Sequence, residues 1–390
     1  MLSGAFAAGL LLALGQTQWE AGLRAEARVY RQADADLLLQ PDLAIEDRAR
    51  DLVLRARYAP QLLLREPSSR GTFNALHVEE LSAALRVDRD TSLTLVQSGS
   101  IGASDLSWIA LAPSAAPFMG VQRDQAQPLS FVNAGATVTL EQRLSNRLTL
   151  GANAGFGVTG ALDQKDLAAY PRTDAVRGGA GVTWREPRDT LTVGAGGSYG
   201  WVTGGYDTNY VGGNVAWRHA FTVASERAMT ASVVDAPDET LGPRYETELR
   251  AGFARFGGDA PNQQQGEIPT GEASLFREAP RRPGAVAARV TLRYAPVIDA
   301  ATGAFIARGE ASVQVDLRID RRFVATAAGG VGYAPDAGPG VPATLGQEGL
   351  ALTYEAARDI AISVGGRVAH IPQTEWAGIV TATFMERGRF

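Results

Sequence analysis

The stretch EASVQVDLRID, residues 310–320, alternates without exception between polar and apolar side chains. Every even position carries a polar residue, from Glu310 to Asp320, and every odd position carries an apolar one, from Ala311 to Ile319. Side chains of an extended strand point alternately to opposite faces. This segment therefore predicts a β-strand that has water on one face and an apolar medium on the other.

The same alternation recurs along the chain, with almost no segment of helical period. It predicts about 18 antiparallel strands, near 21–31, 35–46, 50–65, 73–87, 91–102, 130–144, 147–160, 174–185, 190–203, 207–222, 228–235, 244–256, 285–297, 305–319, 323–334, 346–355, 359–370 and 375–390. Short polar turns such as 88–91 follow every second strand, and longer loops follow the others. The stretch 257–284 is interpreted as a long connection on the short-turn side, and about 16 strands is the competing count if strands are misassigned near 223–283.

Closure removes the exposed edge strands that make an open sheet of this size prone to aggregation. The apolar face is mostly Ala, Val, Leu and single aromatic residues, and the polar face carries charged and amide residues with many of the 44 glycines. Such faces suit lipid outside and water inside better than a packed protein core. Strands cross a bilayer only as a closed barrel, because every backbone group must be paired within the protein. We therefore predict an all-β fold, a closed antiparallel up-and-down transmembrane β-barrel formed by residues 16–390 as one domain.

The first 15 residues, MLSGAFAAGLLLALG, contain no charged side chain. Small residues at Ala13 and Gly15 give a cleavage candidate before Gln16, so residues 1–15 are predicted to be a signal peptide. No later stretch approaches the roughly 18 to 20 apolar residues of a membrane-spanning helix. A net charge of −5 argues against nucleic acid as a partner, and the absence of cysteine excludes disulfides and thiolate chemistry.

The C-terminal segment EWAGIVTATFMERGRF places five apolar residues on one parity: Trp376, Val380, Ala382, Phe384 and Phe390. It resembles the terminal strand of bacterial outer-membrane β-barrel (porin-like) proteins, whose last residue is commonly Phe. The resemblance implies export through the periplasm into the outer membrane of a Gram-negative bacterium, with the lipid bilayer as partner. It also implies recognition by the barrel-assembly machinery through Phe384 and Phe390. Glu386 and Gly388 depart from the pattern, which has hydrophobic residues at those positions.

A barrel of this size is wide enough for an aqueous channel, so the inward residues are predicted to line a pore. The pore-lining candidates are Arg55, Arg57, Glu246, Glu248, Arg250, Arg289, Arg293, Glu310, Gln314, Asp316 and Arg318. If the loop 299–303 centres a hairpin, Arg293 pairs with Glu310 and Thr291 with Ser312. These charges are either cross-strand pairs that hold a solvated wall together or the source of a transverse field that filters solutes.

The segment 103–128 contains SWIALAPSAAPFMGVQ, which is unusually apolar for a surface loop. General porins fold the loop after their fifth strand into the lumen, and this segment follows the fifth predicted strand. The resemblance therefore implies a constriction loop that contains Trp108, Phe118 and Met119. The acidic residues expected of a porin constriction are confined to its margins, which leaves a hydrophobic plug, a ligand-contacting lid or packing over the rim as alternatives.

No enzymatic site is predicted. His77, His219 and His370 lie far apart without metal-ligand spacing, and no nucleophile set typical of outer-membrane hydrolases assembles. Neither a cofactor nor a metal is expected. The predicted function is a passive outer-membrane channel for small hydrophilic solutes, and the alternative is an outer-membrane scaffold, adhesion or ligand-binding barrel with a blocked lumen.

Overall fold

The computed structural model describes residues 16–30, 35–65, 73–104, 129–168, 170–221, 244–261, 263–278, 283–298, 302–333, 344–357, 359–371 and 373–389. Its strands are β1 (Gln16–Tyr30), β2 (Ala35–Arg48), β3 (Leu52–Tyr58), β4 (Gln61–Arg65), β5 (Phe73–Arg86), β6 (Thr91–Ser104), β7 (Leu129–Arg143), β8 (Leu148–Ala161), β9 (Thr173–Arg185), β10 (Asp189–Val202), β11 (Tyr206–Ala220), β12 (Arg244–Gly258), β13 (Gly266–Glu278), β14 (Val286–Ile298), β15 (Phe305–Arg318), β16 (Phe323–Tyr333), β17 (Thr344–Ala357), β18 (Ile360–Ile371) and β19 (Gln373–Arg389). Within these ranges no helix has the length and apolar character needed to cross a membrane.

The strands form one closed antiparallel sheet, because they pair in chain order and β19 also pairs with β1. β3 and β4 both lie between β2 and β5, so they are two segments of one barrel strand. Pro60 lies between them and lacks the N–H that a continuous ladder needs. Counted in this way, the described residues form a barrel of 18 strands, which confirms the predicted all-β barrel and its strand number.

One part of the predicted strand assignment is wrong. β13 lies within 257–284, the stretch interpreted as a long connection. Its inward parity carries Ile268 and Phe276 beside polar residues, so the two faces of the strand differ little in polarity. Pro269 hides the strand further, because proline is depleted from strand interiors. The predicted strand 228–235 lies outside the described residues.

The outer surface of the barrel carries the apolar parity of the strands. Its exposed side chains include Leu23, Leu95, Val138, Phe156, Val193, Val211, Leu292, Val313, Leu317, Leu350 and Val380. A band of this kind is unfavourable in water and suits the acyl chains of a bilayer. Trp184 and Trp217 are exposed near strand ends on the short-turn side, and Trp201 near the opposite ends. This placement is typical of aromatic residues at the two membrane interfaces.

The short turns are stabilised by side chains that accept hydrogen bonds from nearby backbone N–H groups. Between β5 and β6, Asp88 accepts from the N–H groups of Asp90 at 2.7 Å and Thr91 at 2.8 Å. The bond from Asp90, followed by that from the Thr91 hydroxyl, lowers the pKa of the Asp88 carboxyl. Asp320 accepts two backbone N–H groups in the same way between β15 and β16. Aspartate favours turns for this reason.

β19 closes the barrel against β1. Phe384 lies opposite Leu23 on the outer surface, where 46% of it is exposed. Gly388, which departs from the expected hydrophobic pattern, lies opposite Trp19. A Cβ atom built at Gly388 would lie 2.4 Å from the Trp19 indole. The indole from β1 therefore covers the place that a hydrophobic side chain at 388 would occupy. Phe390 lies outside the described residues.

Candidate functional site in the barrel lumen

The inward parity of the strands lines the lumen with polar side chains. A cavity of about 770 Å³ lies inside the barrel against β1 and the strands from β13 to β19. Its charged inward residues are Arg24, Glu26, Glu272, Arg289, Arg293, Glu310 and Arg367. Hydroxyl and amide groups of Thr291, Ser312, Gln314 and Gln347 lie between them. A solute in this cavity meets guanidinium, carboxylate and neutral hydrogen-bonding groups together.

Four predicted pore-lining residues line this cavity: Arg289, Arg293, Glu310 and Gln314. The strand register pairs Arg293 with Glu310 and Thr291 with Ser312, which confirms the predicted pairing of this hairpin. On its other side Arg293 lies opposite Glu272 of β13. The arginine therefore lies between acidic residues of both neighbouring strands, in a polar row across the wall.

The arginine and glutamate side chains at this wall have further contacts. The guanidinium of Arg289 lies over the ring of Phe276, with Cζ 5.2 Å from the ring centroid. This contact orients the guanidinium while its N–H groups stay free to point away from the ring. Glu310 Oε1 lies 4.0 Å from Nε of Arg308, whose side chain is almost fully buried. Glu310 thus has a buried cation on its own strand in addition to Arg293 on the neighbouring strand.

The predicted residues on β12 lie on the inward parity and form ion pairs within β12 and with neighbouring strands. Nη2 of Arg250 bonds Oε1 of Glu248 at 3.1 Å, and its Nη1 lies 3.6 Å from Oε2 of Glu272. Glu246 Oε1 lies 2.5 Å from Nε of Arg218 on β11. Such partly exposed pairs contribute little net stability individually. Their arrangement keeps this part of the wall close to electrical neutrality.

Asp316 and Arg318, the predicted residues at the short-turn end of β15, also form side-chain hydrogen bonds. Arg318 bonds Glu355 through two N–H groups at 3.0 and 3.1 Å. Asp316 accepts from the hydroxyl of Thr326 at 2.6 Å and from the amide of Gln314 at 3.0 Å. Bidentate pairing fixes the planar guanidinium. These contacts fit the interpretation of cross-strand pairs that hold a solvated wall together.

Arg55 and Arg57 lie on the inward parity of β3. Nε of Arg57 donates to Asp42 on β2, at 2.9 and 3.1 Å to its two carboxylate oxygens. The register places Arg55 opposite Glu46. The two arginines thus lie beside the acidic residues of β2, and neither lines the cavity.

The end of the β14–β15 hairpin leaves the wall and lies inside the lumen at the long-loop end. We call residues 303–308 the tucked tip. Phe305 and Ala307 join Ala254 and Phe256 of β12 in one buried apolar cluster. Ala304 and Ala307 are 0% exposed. The tucked tip therefore reaches the inner face of the opposite strands and narrows the mouth of the lumen.

Hydrogen bonds anchor the tucked tip to the inner wall. Thr208 Oγ1 of β11 accepts from the N–H of Phe305 at 2.7 Å, and Thr173 Oγ1 of β9 donates to the carbonyl of Gly303 at 3.0 Å. Nε2 of Gln263 donates to the carbonyl of Phe305 at 2.8 Å. Backbone groups that leave the sheet thus keep partners, as buried polar groups require.

Sequence reasoning missed this constriction and placed one in the segment 103–128. Trp108, Phe118 and Met119 lie outside the described residues. The available signal was the run from Phe305 to Ala307, where three apolar residues in succession interrupt the alternation. Such a run indicates a segment that is buried on both faces.

The histidines lie on the outward parity of their strands. Nδ1 of His77 lies 2.6 Å from the hydroxyl of Tyr58, and Nδ1 of His219 lies 2.8 Å from Oδ1 of Asp189. Across the described ranges, no group of three or more His, Cys, Asp or Glu residues is arranged to hold a metal ion.

A scan of protein-family models and a search of curated proteins find no match to this chain. Solved structures of similar fold include OpdK, an outer-membrane protein of Pseudomonas aeruginosa, and OpdL of the same organism. OpdK with vanillate matches with a TM-score of 0.50 and 12% identity, over 95% of this chain and 99% of that chain. OpdL matches with a TM-score of 0.46 and 15% identity, over 96% and 99% of the two chains. At these identities the likeness concerns the fold alone: the chain is a closed β-barrel of porin-like architecture, as the resemblance of its C-terminal strand implied.

Proposed function

We propose that the chain forms a passive channel for small hydrophilic solutes in the outer membrane of a Gram-negative bacterium. The observation that carries this proposal is the polar cavity inside a barrel whose outer surface is apolar. Lipid on the outside and water on the inside satisfy both surfaces. The described residues of the lumen carry charged and hydrogen-bonding groups. Such groups suit solutes that are themselves hydrated.

The proposed orientation follows from the turns of two to four residues after β2, β5, β7, β9, β15 and β17, and the connection 221–243 after β11 is a long one at the same end. Short turns of outer-membrane barrels face the periplasm and longer loops face the outside. The ends of β1 and β19 that carry Gln16 and Arg389 then lie in the periplasm, and the tucked tip lies near the cell surface. The C-terminal strand, with Phe384 on its outer face, is the proposed contact with the barrel-assembly machinery.

The cavity arginines suggest which solutes to test first. Arg289, Arg293 and Arg367 present guanidinium groups, which bind carboxylates in a defined geometry. OpdK, which shares the fold, has been solved with vanillate, a small organic anion. Small carboxylates are therefore the first class of solute to measure. The segment with Trp108, Phe118 and Met119 remains a proposed second constriction.

Conductance of the purified protein in planar lipid bilayers tests the proposal. Discrete steps of ionic current are expected from protein that migrates as a folded, heat-modifiable barrel on a gel. Addition of a small carboxylate is expected to interrupt the current as the solute occupies the cavity. Folded barrels that insert and never conduct would contradict the channel.

A scaffold or binding barrel with a blocked lumen is the second candidate, and the buried tucked tip favours it. Deletion of residues 106–120 distinguishes the two. The channel predicts a changed solute permeability in the deletion variant. A scaffold predicts unchanged permeability together with the loss of binding to a surface partner.

A further inference from the structure

The wall of the barrel is incomplete beside the tucked tip. β13 pairs with β14 only between Gly271–Arg277 and Ala288–Tyr294. β13 nevertheless continues to Gly266 in its pairing with β12, and β14 continues to Ile298 in its pairing with β15. Residues 266–270 and 295–298 thus extend beyond the last paired row and do not pair with each other. On the other side, β15 pairs with β16 only from Gly309 onward.

The sequence of the two facing edges favours this break. If the register continued beyond Gly271 and Tyr294 by two residues, Pro269 would lie opposite Pro296. A proline has no N–H to donate to a ladder and is depleted from the middle of sheets. Two prolines at facing positions weaken the same point of the wall from both sides. The notch, residues 266–270 and 295–298, therefore has a local cause in the chain.

The inner opening of the notch and the groove below its outer opening are apolar, and the exposed Glu267 lies on the outward parity of the β13 edge. Inside the barrel, the cluster of Phe256, Phe305 and Ala307 is packed by Ile268 and Ile298 from the two edges of the notch. Outside, a groove of about 680 Å³ begins at the last paired row below the notch, at Gly271, Tyr294, Gly309 and Tyr333. The groove continues downward between the exposed side chains of Leu249 and Leu292.

We propose that the notch between β13 and β14 is a lateral portal for apolar small molecules between the mouth of the lumen and the bilayer. The tucked tip closes it with the apolar side chains of Phe305 and Ala307, which lie on the parity opposite to that of Arg308. Outward movement of the tip opens a path from the inner cluster to the outer groove. Hydrated solutes do not take this path, because its lining cannot replace their water. The proposal rests on the placement in an outer membrane and does not require axial passage of hydrophilic solutes.

A disulfide that locks the tip tests the portal, and the chain has no cysteine of its own. A Cβ atom at Gly303 would lie 2.6 Å from Oγ1 of Thr173, so Thr173→Cys with Gly303→Cys brings the two side chains into contact; the single variant Gly303→Cys measures the strain of a side chain at the φ of 70° found there. Cells that carry the wild-type barrel are expected to take up the apolar fluorophore N-phenyl-1-naphthylamine faster than cells without it. Oxidation of the double variant is expected to reduce uptake to the level of cells without the barrel, and reductant is expected to restore it. The single variants are the controls.

Ionic current through the oxidised barrel is expected to persist, which separates the portal from the axial channel. Unchanged uptake by a barrel whose disulfide is demonstrated on a gel would overturn the portal. Hydrogen exchange of the wild-type protein gives a second measurement if the variant does not fold. Amides of 305–308 are expected to exchange at least about tenfold faster than those of 313–317 in the same strand. Equal protection of the two segments would overturn the proposal as well.

Discussion

Gly388 and Trp19 show how two residues at opposite ends of the chain share one patch of outer surface. The indole of Trp19 lies over the backbone at Gly388, so the absence of a side chain in β19 is matched by a large one in β1. The departure from the C-terminal hydrophobic pattern is therefore local. The closing seam still carries an aromatic group at that position, supplied by the neighbouring strand.

Gly388→Leu is expected to lower the free energy of unfolding by about 1–3 kcal/mol, because the indole must move aside. In a Trp19→Ala background, Gly388→Leu is expected to leave the free energy of unfolding unchanged or to raise it, because the leucine side chain fills the place that the indole occupied. Urea unfolding of the single and double variants in lipid vesicles measures this coupling. Additive effects of the two substitutions would contradict the shared patch.

A single residue, Asp88, is expected to make the stability of the barrel depend on pH. Its pKa is lowered in the folded protein, so the stability it adds is present above the usual aspartate pKa and is lost as the pH falls through the lower folded value. Asp88→Ala is expected to destabilise the barrel at pH 7 and to match the wild type near the acid end. Urea unfolding across this pH range measures the difference. A difference that persists unchanged in acid would exclude the carboxylate as its source.

At the scale of elements, the β14–β15 hairpin serves two purposes. Residues 309–317 of β15 continue the barrel wall with nine paired positions against β14, and the outer end of β15 becomes the tucked tip, whose residues 305–308 also pair with β14. β15 changes from barrel wall to tucked tip at the point where the alternation of polar and apolar residues stops. Hydrogen bonds from β9 and β11 replace those that the tip loses from the wall.

Thr208→Val is expected to loosen the tucked tip, because the N–H of Phe305 loses its acceptor at a cost of about 1–3 kcal/mol. A larger and noisier single-channel current is expected as the mouth widens. Thr353→Val is the matched control, because its hydroxyl bonds Ser363 at 2.7 Å elsewhere in the wall. An identical current trace for wild type and Thr208→Val would show that the tip does not limit flow.

At the scale of the whole molecule, the lumen charges divide into two groups. Arg57, Arg250 and Arg318 form ion pairs with carboxylates of other positions in the wall. The cavity instead gathers Arg289 and Arg293 at one wall with acidic residues on either side. The two groups meet at Glu272, which lies opposite Arg293 in the cavity and 3.6 Å from Nη1 of Arg250.

Replacement of Arg289 and Arg293 by Gln is expected to shift the ion selectivity toward cations, because two positive charges leave the cavity. The reversal potential across a KCl gradient in planar bilayers measures the shift. The Lys variants retain the charge and are expected to keep the wild-type selectivity. Equal reversal potentials for the Gln and Lys variants would limit both arginines to a structural role.

The barrel could be predicted from the sequence because alternation is a local property. Each strand needs only its own residues to present unlike faces, and the hairpin pairing of Arg293 with Glu310 needs only a short loop between neighbours. The same reasoning failed at β13, where Ile268 and Phe276 face inward against the pattern. Both side chains contact residues of other strands. Ile268 packs against the buried cluster that contains Phe256 and Phe305, and Phe276 lies under the guanidinium of Arg289.

The sequence by itself determined most of the strands other than β13, their polar and apolar faces and the need for closure. Only the tertiary structure decided that the tucked tip crosses the mouth, that β13 and β14 part above Gly271, and which arginines meet carboxylates. These features join residues that are far apart in the chain, such as Thr173 and Gly303. Their energies depend on distances that arise only when the sheet closes, and no local pattern of side chains encodes them.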